Sequence, residues 1–182
     1  MECKGSFAFE LQATTRRVCR GMIVTVSEII FPERPEVSLD QSKEIIEKSA
    51  DVFASWKHYD AMKQSPFSDA SAREMLLNDL AELVVSCESI FVSLGYASAR
   101  EEYECFYAIL SKERLYELQI AAAKLYESQR ECLSFASDKA RLDLVDAVEQ
   151  VKYCACFIVA ALGVNDFTPY VQQATQLRDK TL

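Results

Sequence analysis

Histidine, cysteine and paired carboxylates are the usual components of catalytic sites, and this chain has few arrangements of them. His58 is the only histidine, and on a helix it lies on the same side as Asp51 and Ser55. A catalytic nucleophile needs a nearby base and groups that stabilise an oxyanion, and neighbours on one helix do not provide the second requirement. We interpret His58 as a surface side chain, and the sequence predicts no catalytic residue and no enzymatic activity.

Metal and cofactor sites are not predicted either. Carboxylate-bridged di-metal sites in helical bundles use two Glu-x-x-His motifs, which a single histidine cannot supply. The sequence contains neither of the two common Gly-rich phosphate-binding motifs. Glu101, Glu102 and Glu104 lie near a predicted helix start, where the helix dipole favours anions, so we interpret them as a solvated face. We expect no metal and no cofactor.

Seven cysteines are scattered along the chain without a C-x-x-C pair. They are Cys3, Cys19, Cys87, Cys105, Cys132, Cys154 and Cys156. An odd count with irregular spacing is typical of buried thiols rather than of a zinc site or a disulfide framework. The first residues mix charges with apolar side chains, which is not the pattern of a secretory signal. We therefore predict reduced cysteines and a cytoplasmic location.

Three arginines, Arg16, Arg17 and Arg20, are the most interpretable polar feature. On a helix over residues 6–30 they share the side opposite an apolar stripe, and residues 1–27 carry a net charge of +2. Guanidinium groups on one exposed face can hold several phosphates or an acidic helix. The sequence thus gives a candidate partner- or phosphate-binding patch. The alternative is a set of solvated charges that pair with acidic residues of neighbouring helices.

The composition is that of an acidic globular protein. Half of the 182 residues are hydrophobic, only four are glycine and four proline, and the net charge is −8. This length allows one sizeable core or two small subdomains. An acidic surface argues against broad nucleic-acid binding and against anionic membranes. No apolar run reaches the about twenty residues that span a bilayer, so we expect no membrane partner.

Apolar residues repeat at three- and four-residue steps along most of the chain, which predicts helices. The predicted helices cover about residues 6–30, 38–63, 69–94, 98–110, 111–133, 138–162 and 168–177. Whether the fourth and fifth are continuous is left open. The fold class is all-α, an antiparallel bundle of six or seven helices, five of them long. We predict a single domain over residues 1–182, in which residues 95–98 are the only candidate for a subdomain boundary.

Local signals mark the ends of several helices. Ser38 with Gln41 fits a capping box, and Ser137 is a second N-cap. Gly95 and Gly163 are suited to left-handed C-terminal caps, and Pro169 is suited to the first turn of the last helix. The positions of these six residues are therefore predicted to fix the helix boundaries.

The stretch over residues 142–162 is predicted to form the central helix. From Tyr153 onward ten residues carry no charge, and a helix that is apolar all round must be surrounded. Phe157 is therefore expected to be buried on the side opposite Ala155. The predicted core comprises Leu80, Leu83, Cys87, Phe91, Val148, Val151, Ala155 and Ile158.

A second apolar strip on one helix predicts self-association. Tyr116, Ile120 and Ala123 share a face that the core-facing stripe of the same helix does not use. Either a second copy of the chain or another helix of the same chain could cover this strip. A two-fold contact is the commonest way for identical chains to associate.

The function that these patterns favour is a helical protein-interaction or scaffolding protein without catalysis, which self-associates and binds a protein partner. The first alternative is an RNA-binding oligomer that uses Arg16, Arg17 and Arg20. The second is an enzyme or carrier with a buried apolar pocket. Trp56 and the aromatic residues of the other helices are better explained as core, because they occur at helical spacing.

Overall fold

The computed structural model describes residues 16–19, 22–25, 38–63, 70–95, 112–135 and 137–180. Five α-helices make up most of this part of the chain. They are α1 (Leu39–Met62), α2 (Ala70–Ser93), α3 (Lys112–Phe135), α4 (Asp138–Ala161) and α5 (Thr168–Asp179). The helical class is confirmed, whereas the described residues contain five helices and not six or seven. The helix predicted from residue 98 lies outside the described residues.

The helix predicted over residues 6–30 is wrong where the structure describes it. Arg16–Cys19 (β1) and Met22–Thr25 (β2) are strands that pair antiparallel, with Arg16 opposite Thr25. Two features of the sequence favour strands here. Gly21 is unfavourable inside a helix, and residues 23–26 are all β-branched, a type enriched in strands.

The predicted capping residues occupy their positions. The Ser38 hydroxyl accepts from the Asp40 N–H at 3.2 Å, and the Ser38 N–H donates to Gln41 Oε1 at 3.0 Å, which completes the capping box. At the end of α4, Gly163 has φ +71°, and the Val164 N–H reaches the Val159 carbonyl at 3.3 Å. This is the Schellman arrangement, whose left-handed residue favours glycine.

Helices α1 to α4 form a four-helix bundle in which each helix packs against two neighbours of the four. The order around the bundle is α1, α2, α4, α3. Contacts between helix ends show that α1 and α2 are antiparallel, because Gln41 near the start of α1 donates to Ser93 at the end of α2 at 2.9 Å. Similarly, Arg73 near the start of α2 donates to the Leu162 carbonyl after α4 at 3.0 Å.

The remaining two neighbouring pairs are antiparallel as well. Gln129, late in α3, donates to the Ser38 carbonyl before α1 at 2.7 Å. The Arg114 guanidinium, early in α3, lies 4.4 Å from the ring of Phe157 near the end of α4. The bundle therefore runs up, down, down, up along the chain. The end of α2 and the start of α3 lie at opposite ends of helices that are about 36 Å long.

The core lies between the four long helices, and all eight residues predicted for it are buried. However, α4 is not the central helix. It packs against α3 and α2, whereas α2 packs against α1, α4 and α5. Phe157 is only partly buried, because its outer side is covered by Arg114 and Tyr153 rather than by another helix. A helix that is apolar all round can thus be covered in part by long side chains.

The last helix, α5, packs on α2. Phe167, just before the helix, is fully buried, and Val171 and Ala174 are buried along it. Leu177, later in the same helix, is 54% exposed. Arg178 instead joins α5 to the bundle through Glu44 of α1 at 3.2 Å. Within the described residues, no helix combines the length and the apolar character needed to cross a membrane.

Candidate functional site

The outer face of α3 carries the exposed apolar strip that we define as Tyr116, Ile120 and Ala123. Tyr116 is 48% exposed and Ile120 is 54% exposed, and Ala123 is exposed as well. The opposite side of α3 is fully used in the core. Its buried residues include Leu115, Leu118, Ala121, Ala122, Leu125 and Cys132. Within the described part of the chain, the buried residues of α3 do not include Tyr116, Ile120 or Ala123.

The aromatic residue of the strip, Tyr116, packs against a residue of α1. The Tyr116 ring lies 5.7 Å from the Phe53 ring of α1, and Phe53 lies 5.9 Å from the ring of the buried Trp56. The Lys57 ammonium group sits 4.6 Å from the Phe53 centroid. Tyr116 thus packs one side of its ring against Phe53 and presents the other side to the surface, and such packing reduces the entropy that the side chain loses when a partner binds.

Charged residues flank the strip on the same helix. Arg114 and Glu117 pair with each other at 2.6 Å, and Arg114 also covers Phe157, so this pair belongs to the α3–α4 interface. Lys112 and Glu127 are exposed one turn beyond the two ends of the strip. Among the described residues, neither of these two takes part in an ion pair.

Two of the three arginines of the predicted patch lie within the described residues. Arg16 and Arg17 belong to β1, and Arg20 lies outside the described residues. The predicted patch depended on a helix, in which residues three and four apart share a face. That rule holds for helices and not for strands. The argument that Arg16, Arg17 and Arg20 share one helix face therefore no longer applies.

The group around His58 is also separated. His58 is exposed on α1, whereas Ser55 is buried and its hydroxyl donates to the Asp79 carboxylate of α2. The expectation that Ser55 shares the surface side of His58 is therefore wrong. Because α1 packs against both α2 and α3, its buried arc is wider than the single apolar stripe in its sequence.

A series of polar contacts joins α1 to α2 and α5. Ser86 of α2 donates to Glu44 of α1 at 2.7 Å, and Arg178 of α5 approaches both of them, at 3.3 Å from the Ser86 hydroxyl. Lys48 of α1 pairs with Glu82 of α2. These partly buried contacts link α1, α2 and α5 and set the register of the three helices.

One buried cation was not predicted. Lys152 of α4 is 5% exposed, and its ammonium group lies 3.6 Å from the Glu88 carboxylate of α2 and 5.2 Å from the Phe91 centroid. In the sequence Lys152 directly precedes the uncharged run of α4, and this position suggests the last polar residue of an exposed surface. The pairing shows that this side of α4 faces α2 instead.

The cysteines that the structure describes are buried, as the sequence predicted. Cys87, Cys132, Cys154 and Cys156 are free and buried. Burial raises the pKa of the Cys87 thiol to about 12 and that of Cys154 to about 11, so these thiols are poor nucleophiles and poor metal ligands at neutral pH. The described part of the chain contains no cluster of His, Cys, Asp and Glu that could hold a metal ion.

Comparisons of the chain with protein-family models, with curated proteins and with solved structures found no match. The interpretation of the site therefore depends on the geometry of this chain, in which the strip on α3 is the surface feature with the clearest physical consequence.

Proposed function

We propose that the protein is a helical protein-interaction or scaffolding protein without catalysis, and that it self-associates through the strip Tyr116, Ile120 and Ala123 of α3. The observation that carries the proposal is that α3 exposes an aromatic and a β-branched residue one turn apart, although its core-facing side is complete. A helix that only closed a core would carry polar residues on its outer face.

The form of the strip supports an interface between proteins. Aromatic residues are enriched at such interfaces, and a rim of charged residues around an apolar centre is the usual anatomy. Tyr116 is ordered by Phe53, and Lys112 and Glu127 lie at the two ends of the strip. Single exposed apolar residues are common on any surface, but neighbouring residues on one helix face form a contiguous patch.

The alternative of an RNA-binding oligomer has less support. It was based on Arg16, Arg17 and Arg20 on one helix face, and this argument does not apply to the described strand β1. The net charge of −8 also opposes binding to a polyanion. A protein partner, recruited directly or by the self-associated form, is therefore the better proposal.

The experiment compares two lysine substitutions at equally exposed apolar residues. Ile120 and Leu177 are both 54% exposed, on α3 and α5. Ile120→Lys should shift the protein to the monomer without loss of helicity, because it places two ammonium groups at the centre of a two-fold contact. Leu177→Lys should leave association unchanged. Multi-angle light scattering gives the mass, and circular dichroism gives the helicity.

Two results would contradict the proposal. Equal association of both variants would mean that the strip is not the contact. An unfolded Ile120→Lys variant would mean that the strip belongs to the core, where it would be covered by another part of the same chain.

A further inference from the structure

We propose that the second copy binds antiparallel along α3, with Lys112 of each copy opposite Glu127 of the other and Tyr116 opposite Ala123. This inference rests on the proposed self-association and specifies its geometry. It starts from five exposed residues on α3: Lys112, Tyr116, Ile120, Ala123 and Glu127. At about 100° of rotation per residue, they lie within less than about a quarter of the helix circumference.

The order of these residues places complementary side chains opposite each other when the helix is paired with a reversed copy of itself. Lys112 precedes Tyr116 by four residues, and Ala123 precedes Glu127 by four residues. When two copies of α3 run antiparallel with the two-fold axis between Gln119 and Ile120, each lysine meets a glutamate. Each large aromatic side chain then meets a small alanine, which lets the two helices approach closely.

Other orientations bring like charges together. In a parallel two-fold contact each residue faces its own copy, so Lys112 meets Lys112 and Glu127 meets Glu127. An antiparallel contact shifted by one residue places Glu113 opposite Glu127. Like charges that face each other are unfavourable, so these arrangements are destabilised. The opposite charges stabilise the proposed arrangement to a similar extent.

The residues on the two flanks agree with this arrangement. Arg114 and Glu117 are engaged with each other and with α4, so they do not compete for Lys112 or Glu127. Ile120, beside the two-fold axis, meets its own copy and Gln119 in the centre of the contact. The apolar centre with two symmetry-related ion pairs at its ends matches the usual separation of core and rim.

The test is a charge-reversal cycle measured by sedimentation velocity on the full chain. Lys112→Glu and Glu127→Lys should each raise the dissociation constant of the dimer about tenfold, because each makes two like-charge pairs. The double variant Lys112→Glu/Glu127→Lys should return it to within about threefold of the wild type, since the pairs are restored in reverse. Lys139→Glu/Asp143→Lys, two exposed residues of α4, is the control with the same charge changes.

Glu127→Lys distinguishes the proposed register from a general charge effect. This substitution makes the acidic chain less negative. If only the general repulsion between two acidic chains mattered, the dimer would become tighter. If Glu127 pairs with Lys112 as proposed, the dimer becomes weaker. A tighter dimer for this variant would overturn the register. Dimerisation that is unchanged in both single variants would also overturn it while leaving the self-association of the proposed function intact.

Two further measurements complete the test. If the wild-type protein is a monomer, both the register and the proposed function are wrong. Lys112→Gln and Glu127→Gln remove the pairs without adding like charges, so each should weaken the dimer less than the corresponding reversal. Circular dichroism of every variant confirms that a loss of the dimer is not a loss of the fold.

Discussion

Asp79 is a carboxylate in the partly buried interface between α1 and α2, where it accepts a hydrogen bond from Ser55. Its burial raises the pKa of the carboxyl group, and the hydrogen bond from Ser55 opposes this increase. A raised folded pKa means that the proton is bound more tightly in the folded protein. The resulting stabilisation is fully present below the ordinary value of 3.8 and is lost as pH rises through the folded pKa.

We therefore predict that Asp79→Asn gains stability relative to the wild type as pH increases from below 3.8 to neutrality. The difference should be about 0–1 kcal/mol at neutral pH, because solvent reaches part of the carboxylate. Urea unfolding at several pH values measures it. Asp143→Asn, at an exposed position of α4, corrects for the general effect of removing one negative charge. A stability advantage of Asp79→Asn over the wild type that decreases with increasing pH would contradict the prediction.

Capping roles could be predicted from the sequence, because the groups that cap a helix end lie within about one helical turn of each other. Ser38, Gln41 and Gly163 act on backbone groups of the same helix end, so their spacing alone determines their role. The partners of Ser55 and Lys152 lie on α2. Their orientation depends on which helices flank α1 and α4, and the sequence does not contain that information locally.

At the scale of helices, the contact between α2 and α4 contains a buried ion pair. Lys152 loses nearly all contact with water, while Glu88 keeps about a third of its side chain exposed. The ammonium group also lies over the Phe91 ring. Removing water from a charge is costly, and a carboxylate partner offsets that cost only in part.

We predict that Glu88→Ala destabilises the protein more than Lys152→Met does. Glu88→Ala leaves a buried ammonium group without this carboxylate, which should cost about 1–3 kcal/mol. Lys152→Met keeps the shape of the side chain without its charge, so its effect should lie within about 1 kcal/mol of zero. Denaturant unfolding of both variants and of their combination measures this. The double variant should resemble Lys152→Met, and a greater loss for Lys152→Met than for Glu88→Ala would contradict the account.

Helix-scale predictions succeeded where one apolar stripe faces one core. The stripe of α2 and the exposed strip of α3 follow directly from the spacing of their residues. The helix predicted over residues 6–30 is wrong at residues 16–19 and 22–25, because apolar spacing did not outweigh Gly21 and the β-branched residues that follow it. The central position predicted for α4 is wrong because, among the described helices, α2 packs against three others and α4 against two, and Arg114 and Tyr153 lie against the ring of Phe157.

At the scale of the whole molecule, the antiparallel bundle was predictable because amphipathic helices have few ways to bury their stripes. The order of the helices around the bundle was not predictable. It is set by contacts between residues far apart in the chain, such as Gln129 with Ser38 and Arg178 with Glu44. In the same arrangement Tyr116, Ile120 and Ala123 are exposed on α3.

The proposal that the chain self-associates depends most directly on the mass of the wild-type protein in solution. Sedimentation equilibrium over roughly a hundredfold range of concentration separates monomer from dimer by mass action. We predict a mass that rises from that of one chain toward that of two chains as the concentration increases, without larger species, because a two-fold contact through α3 is closed. A mass of one chain at every concentration would contradict the proposal.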